Sequence, residues 1–444
     1  LERYASENIS FQLAHHLLGN APEAAKCGEL CRILREYTNV RNASTTAEVK
    51  LSDPLIAATR QRPNIFVIVV DSMRPDYLGA YNPKVDFTPN IDALARDSAV
   101  FRNAYTQYAG TTLSEPAIWS GAMLLHAHYL RPFHNVNSLE KLANVDGYQM
   151  IVSYDTVLKE ILSPSDDVTK LDTGKPWNQF EFCSTVNELT EKLDSRTDKS
   201  RPVFFYAQPM NVHQFAQNQQ ATLRNTDWSR PGFSRRVALE VHQVDECMGK
   251  FLAQLRSHGL YDNSIIILAS DHGDALGDFG RHSHSYLIYP EVMHVPLIVH
   301  LPKALREQTI YDESALSALT DITPSLYYLL GHRPLKASPM YGQSLFADNQ
   351  KELEARRRHE LFLASDEVAV YGLLEEGGRS MYATYDSPAR SYLFDLERDP
   401  NAEHNILTDA AKKKYDQRII DYLKMIANFY GYKPGVGSLL ASSH

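Results

Sequence analysis

Residues 62–72 read RPNIFVIVVDS. Between the asparagine and the aspartate lie six apolar residues without a polar break. A strand with one wet face alternates apolar with polar residues. An unbroken apolar run of strand length belongs to a strand covered on both faces, as in a parallel sheet flanked by helices. Similar runs recur in PVFFYAQP (202–209), SIIILASDHGD (264–274) and VPLIVHLP (295–302). Helix-like stretches separate them: TPNIDALARDSA (88–99), with Thr88 and Pro89 as a capping start, and RRVALEVHQVDECMGKFLAQLRSHG (235–259). Strands alternating with helices predict an α/β fold, a large mostly parallel sheet sandwiched by helices. Such sheets hold ligands beyond the carboxyl ends of their strands.

The 444 residues exceed one ordinary core, which predicts a large domain with a smaller one appended. Residues 1–60 read as a helical lead-in, where AAKCGELCRILREY (24–37) has apolar positions at helical spacing. Residues 61–350 carry the strand–helix pattern. Residues 351–444 shift to short alternating segments with Gly, Asp and Pro turns, then a helix at 410–431; this predicts a small antiparallel sheet with a helix. The composition is that of a globular protein, and the formal charge of -9 argues against nucleic acid as a partner. Four cysteines (Cys27, Cys31, Cys183, Cys247) are too few for a disulfide scaffold and read as buried free thiols, although Cys27 and Cys31 are spaced for a local bridge. The longest apolar run, Ile65–Val70, is far short of a membrane span. The chain opens at Leu1 inside polar helical sequence, which leads us to expect a membrane anchor upstream. The sequons at Asn8 and Asn42 decide nothing.

Asp71 ends the first apolar run, and Asp271 and His272 end the third. If those strands are neighbours, two carboxylates and an imidazole converge on one edge. That donor set suits Zn²⁺, then Mn²⁺, better than Ca²⁺, which prefers oxygen alone. Solvated strand caps read the same way from spacing. YAGTTLSEPAIWSG (108–121) adds a hydroxyl: Thr111 at a divalent cation becomes a competent nucleophile, whereas Thr111 or Thr112 away from one is a helix N-cap. His213 follows the strand VFFYA, and His282 and His284 follow the Asp–His pair; imidazoles there hold ester oxygens or protonate a leaving group. His294 reads as structural, and His126, His128 and His134 as rim residues.

Seven ordered segments resemble the sulfatase and alkaline phosphatase superfamily: NIFVIVVDSMRPDYLGAYN, TPNIDALARDSAVFRNAYT, SDHGDALGDFGRHSH, HVPLIV, LTDITPSLYYLLG, YGQSLF and YLFDLERDPNAEHNIL. The resemblance spans roughly residues 62–405 and implies a large α/β sandwich with a small C-terminal sheet subdomain. The position of the formylglycine cysteine falls on Thr111. Here the C-x-P-x-R pattern is replaced by Thr111-Thr112-Leu113-Ser114-Glu115, and the second acid of the usual Asp–Asp pair is Ser72.

Thr111, Ser114 and Pro116 instead resemble the T-x-x-S-x-P of lipid A phosphoethanolamine transferases, to which lipoteichoic acid synthases are akin. This implies Thr111 as nucleophile, and Asp71, Asp271, His272 and Thr111 itself around one divalent metal. His213 and His284 become catalytic, and Arg74, Thr112 and His282 substrate-binding. The expected function is therefore an extracytoplasmic, membrane-associated phosphotransferase. It moves a phosphoester from a phospholipid or similar donor to a glycan or lipid acceptor through a phospho-threonine. The alternatives are a phosphodiesterase, phosphomonoesterase or other sulfatase-like hydrolase, and, from another class, a non-catalytic lipid- or glycan-binding module. Two departures weaken the transferase reading. Those enzymes carry Glu where this chain has Asp71, and they lack the YLFDLERDP segment.

Overall fold

The computed structural model describes residues 24–38, 45–57, 62–124, 130–165, 167–213, 227–333, 338–366, 368–386 and 389–432. Asn8, Asn42, His126 and His128 lie outside them.

Seven strands form the main sheet: β1 (Asn64–Val69), β2 (Ser98–Val100), β3 (Gln149–Ser153), β4 (Val168–Leu171), β5 (Val203–Ala207), β6 (Ser264–Ala269) and β7 (Leu297–His300). Their order is β2-β7-β6-β1-β5-β3-β4. The central β1 pairs in parallel with β5 and β6, Ile65 lying opposite both Phe204 and Ile265. β3 and β4 continue the parallel array. β7 alone runs antiparallel to both of its neighbours.

Among the helices are α1 (Ala24–Thr38), α2 (Pro89–Ala95), α3 (Thr111–Ser120), α4 (Phe182–Asp194), α5 (Arg235–Ser257), α6 (Ile322–Leu329) and α7 (Asp409–Phe429). The alternation within β1 explains its missing polar positions. Phe66, Ile68 and Val70 share a cluster with α2, α4 and α5. Ile65, Val67 and Val69 share another with α3 and α6. Each such side chain gives roughly 1.5–3 kcal/mol on burial, so a polar residue at any of them would unpick one layer.

Two expectations are corrected here. Cys183 and Cys247 are not free thiols: they form a disulfide with an S–S distance of 1.95 Å, and Cys31 is also disulfide-bonded. Helices α4 and α5 bring the two cysteines together across 64 residues, a separation that hides the pairing in the sequence. Thr88 does not cap α2 with its side chain. Asp245 of α5 does so, accepting from the backbone nitrogens of Asn90 and Ile91 at 3.0 and 2.7 Å.

The last part of the chain is a four-stranded antiparallel meander, β8 (Glu360–Ala364), β9 (Val370–Glu375), β10 (Ser380–Asp386) and β11 (Ala389–Asp395). One face stacks on α7 through Phe362–Tyr422 and Tyr382–Tyr415, with centroids 5.1 and 4.8 Å apart. The other buries Leu361, Leu363, Met381 and Ala383 against Leu287, Ile288 and Met293 of the main body. The end of β8 is bonded to the loop before α3: Ala109 N donates to Ala364 O (3.0 Å), and Ala364 N to Gln107 O (2.8 Å). Among the described residues no helix is long and apolar enough to cross a membrane.

Candidate active site

β1 and β6 end side by side, Val69 opposite Ala269, so Asp71 and Asp271 emerge together two residues later. Ser270 stitches the two ends: its Oγ accepts from Met73 N at 2.8 Å and lies 2.6 Å from the Val70 carbonyl. Ser72, with φ +60°, donates its hydroxyl to Asp71 Oδ1 at 2.7 Å. Helix α3 enters from the side. Its N-cap position is Gly110, with no side-chain cap, so neither threonine serves as the N-cap. A Cβ on Gly110 would lie 2.7 Å from both Asp366 Oδ2 and Ser285 Oγ, which explains glycine at this close approach. Ser114 Oγ donates to the Asp271 carbonyl at 2.6 Å and locks the first turn of α3 to the end of β6.

This leaves the Thr111 hydroxyl facing the strand ends. Its Oγ1 lies 2.7 Å from Asp271 Oδ2, 3.0 Å from Asp71 Oδ2 and 3.3 Å from His272 Nε2. Asp71, Asp271 and His272 are fully buried, with ligand atoms within 4.8 Å of one another. His272 Nδ1 lies 2.8 Å from the Gly273 carbonyl, which only a protonated Nδ1 satisfies, so the Nε2 lone pair faces the cluster. Thr111 has one proton for two carboxylates and an imidazole lone pair. The remaining convergence of lone pairs fits a divalent cation.

The electrostatics agree. Burial raises Asp271 to about 6, aided by the Asp71 charge beside it. Burial also acts against ionised Asp71, but His213, His272, His284 and the Ser72 hydroxyl outweigh it and hold that carboxyl below its ordinary value.

His284 and His213 complete one wall. His284 stacks on His272 with centroids 4.3 Å apart, and His213 meets His284 edge-on at 5.3 Å. His284 Nδ1 lies 3.3 Å from Asp274 Oδ1. Burial depresses the basicity of His284, yet Asp274, Asp71 and Asp271 together raise it above the ordinary imidazole value. Burial dominates at His213 and lowers it.

The other candidates stand apart from Thr111. The Arg74 guanidinium binds Asp76 of its own loop through Nε (2.9 Å) and Nη2 (2.8 Å), and through Nη1 both Asp278 (2.6 Å) and the Asp274 carbonyl (3.1 Å) of the loop after β6, so it ties the two loops together. Thr112 Oγ1 donates to Asp366 Oδ2 at 2.6 Å, toward the C-terminal sheet. His282 is exposed over Gly277. His294 supports the fold, its Nε2 2.9 Å from the Arg102 carbonyl. His134 is exposed on a short helical turn.

Gln208 and Asp274 went unread in the sequence. Gln208 Nε2 donates to Asp271 Oδ2 at 2.8 Å from just past β5. Its place after an apolar run, like that of Asp71, was the available signal; Asp274 sits inside the Asp–His motif itself.

The profile of the Sulfatase family matches residues 63–332. The chain is 22% identical over 438 residues to a Delta 4,5-hexuronate-2-O-sulfatase of Bacteroides thetaiotaomicron, covering 84% of this chain and 90% of that one. It is 23% identical to an arylsulfatase of Clostridium perfringens, covering 82% and 93%. A solved 2-O GAG sulfatase superposes with a TM-score of 0.62 at 19% identity, over 84% of this chain and 97% of that one.

These findings overturn the phosphotransferase expectation. The relatives are sulfatases, not phosphoethanolamine transferases or lipoteichoic acid synthases, and the hydrolase alternative fits better. The T-x-x-S-x-P resemblance is a six-residue local pattern, whereas the sulfatase match runs through the whole main sheet. Nor does anything support the transferase's phospholipid donor or membrane association.

Proposed function

Because the chain belongs to the sulfatase family, we propose that it hydrolyses a sulfate ester on a sugar or aryl alcohol, with Thr111 standing where formylglycine stands in its relatives. The observation that carries this reading is the Thr111 hydroxyl within 3.3 Å of Asp71, Asp271 and His272 at once. Asp71, Asp271 and His272, with Thr111, would hold a divalent metal; the imidazole nitrogen favours Zn²⁺, then Mn²⁺. A bound cation supplies positive charge for the ester oxygens and makes the hydroxyl more acidic.

The chain's own groups account for the remaining steps. Thr111 Oγ1 gives its proton to Asp271, whose Oδ2 is 2.7 Å away, and attacks sulfur as the bond to the ester oxygen breaks. His284, with raised basicity, protonates the departing alcohol, and His213 holds a sulfate oxygen. A formylglycine hydrate has a second hydroxyl with which to expel sulfate. Threonine has none, so water must attack sulfur, giving a proton back to His284, as the Oγ1–S bond breaks and Oγ1 recovers its proton from Asp271. The Cys183–Cys247 disulfide supports an extracytoplasmic setting.

The test is release of inorganic sulfate from nitrophenyl sulfate and from sulfated hexuronate disaccharides, beside the matching phosphate and phosphonate monoesters. Turnover of a sulfate ester that disappears in Thr111→Val supports the reading. Faster turnover of either phosphorus ester, or oligosaccharide binding with no turnover, overturns it.

A further inference from the structure

An exposed aromatic side chain stands beside the site, and the chemistry above does not use it. Of the three tryptophans, Trp119 is fully buried and Trp228 stacks on His242 with centroids 5.3 Å apart. Trp177 is 39% exposed. Its indole meets the His213 ring edge-on, at 87° and 5.2 Å. His213 in turn meets His284, His284 stacks on His272, and His272 Nε2 lies 3.3 Å from Thr111 Oγ1. Three imidazoles thus lead outward from the hydroxyl to the indole. His213 is buried, so the indole is the ring of this row that opens widely to solvent.

The short helical turn that carries it, Trp177–Gln179 between β4 and α4, is braced at both ends. Ahead of it, Lys175 Nζ binds Asp172 and Glu188 at 2.6 Å each. Behind it, Phe180 N donates to the Trp177 carbonyl at 3.2 Å. The same stretch is bonded to the loop that carries His213: Met210 N donates to the Phe180 carbonyl (2.8 Å), and Phe182 N to Asn211 Oδ1 (3.0 Å). The Cys183–Cys247 disulfide then fastens the start of α4 to α5. Indole and imidazole are therefore fixed to one another by backbone as well as by ring contact. Burying a ring of this size is among the larger gains a side chain offers. The bracing accounts for where the indole sits, not for the surface it leaves open.

The neighbours of Trp177 along the chain narrow what would cover it. Thr173 and Gln179 are exposed and Asn178 is half-buried, so one apolar plate lies among hydroxyl and amide groups. A pyranose ring has the matching form: C–H groups on its faces and hydroxyls around its rim. Its polarised C–H groups meet the electron-rich face of an indole, while the hydroxyls stay among polar partners. An arene or an acyl chain has no polar rim and is held better by an enclosed apolar slot.

We propose that Trp177 is the platform on which a pyranose ring of the substrate's alcohol portion stacks, and that it makes the site prefer sugar esters to aryl esters. The inference rests on the sulfate-ester reading above, with His213 at the sulfate and Trp177 one ring further out.

The experiment measures binding and turnover separately, on the full chain. Trp177→Ala and Trp177→Phe are made in the wild type and in Thr111→Val, which lacks the attacking oxygen. The probes are sulfated hexuronate and hexosamine disaccharides, with nitrophenyl sulfate as the aryl ester. We expect Trp177→Ala to weaken disaccharide binding by Thr111→Val about tenfold, and to raise KM for the disaccharide by a like factor in the active enzyme. Its kcat, and its rate on nitrophenyl sulfate, should stay within about threefold of wild type. Trp177→Phe should recover most of the binding. Indole fluorescence of Thr111→Val should change when the disaccharide binds, and that change should vanish in Trp177→Phe. Equal losses on disaccharide and nitrophenyl sulfate would make Trp177 a prop for His213 and overturn the proposal. So would disaccharide binding that Trp177→Ala leaves unchanged, or no disaccharide binding at all. Disaccharide binding that depends on Trp177 with no sulfate released supports the platform and removes only the hydrolase reading.

Discussion

Thr111→Val keeps the shape of the side chain and removes one atom. That atom makes three polar contacts, at 2.7, 3.0 and 3.3 Å, to the groups that define the centre. If Thr111 merely starts a helix, the change costs the protein roughly 1–3 kcal/mol for unpartnered buried carboxylates and leaves turnover alone. If its oxygen takes part in the reaction, the loss falls on the transition state. Removing a single stabilising donor costs about 10²–10³ in kcat. Removing the attacking oxygen costs more, so we expect kcat to fall at least about 10³-fold, some 4 kcal/mol. Thr111→Ser keeps the hydroxyl and should stay within about tenfold of wild type. The assay is sulfate release under saturating substrate, with metal content measured on the same samples. Rapid quenching followed by peptide mass spectrometry looks for a sulfated Thr111, which should accumulate because only water can open it. A metal-loaded Thr111→Val enzyme that keeps a third or more of the wild-type rate would refute the reasoning.

Three further predictions concern the metal, a buried acid and the disulfide. Chelation should abolish turnover and lower the melting temperature, and added Zn²⁺ or Mn²⁺ should restore both; at a thousandfold excess over Kd the ion adds about 4 kcal/mol of stability. Glu240 is buried, its Oε1 lacks a partner, and burial raises its carboxyl from 4.5 to about 7 against the pull of Arg236. Its contribution to stability is thus full below pH 4.5 and lost as pH rises to about 7, a difference of roughly 3 kcal/mol. Urea titrations across that window should show the decline in wild type and not in Glu240→Gln, which should be the more stable protein above pH 7. The paired Cys183→Ala and Cys247→Ala change opens a loop of 64 residues and should cost about 4 kcal/mol, read as a lower denaturant midpoint.

The residues that could be read from sequence were those whose meaning is local. Ile65–Val70 announced a strand covered on both faces because no polar residue interrupts it, and Asp71, Asp271 and His272 announced a site because each ends such a run. Groups whose partners come from elsewhere in the chain were opaque. Thr88 looked like a cap, but Asp245, more than a hundred residues later, takes that position. Arg74 reads as an anion ligand, yet Asp76 of its own loop and Asp278, 204 residues later, occupy its guanidinium. Glu115 stood out as the residue where an arginine was due, but its neighbours on β5 and past β3 appear only once the strands are ordered. The transferase reading fails because the T-x-x-S-x-P pattern around Thr111 is local, whereas the sulfatase match spans residues 63–332.

The pairing of β1 has a consequence for biosynthesis. Ile65 lies against residues made 139 and 200 positions later. During synthesis the most apolar segment therefore leaves the ribosome long before either neighbour exists. It must remain sheltered until residue 269 has emerged, and only then can the strand ends that carry Asp71 and Asp271 meet. Such long-range closure is slow and leaves sticky intermediates. Recombinant yield should therefore respond more to translation rate and chaperone supply than to the solubility of the finished fold.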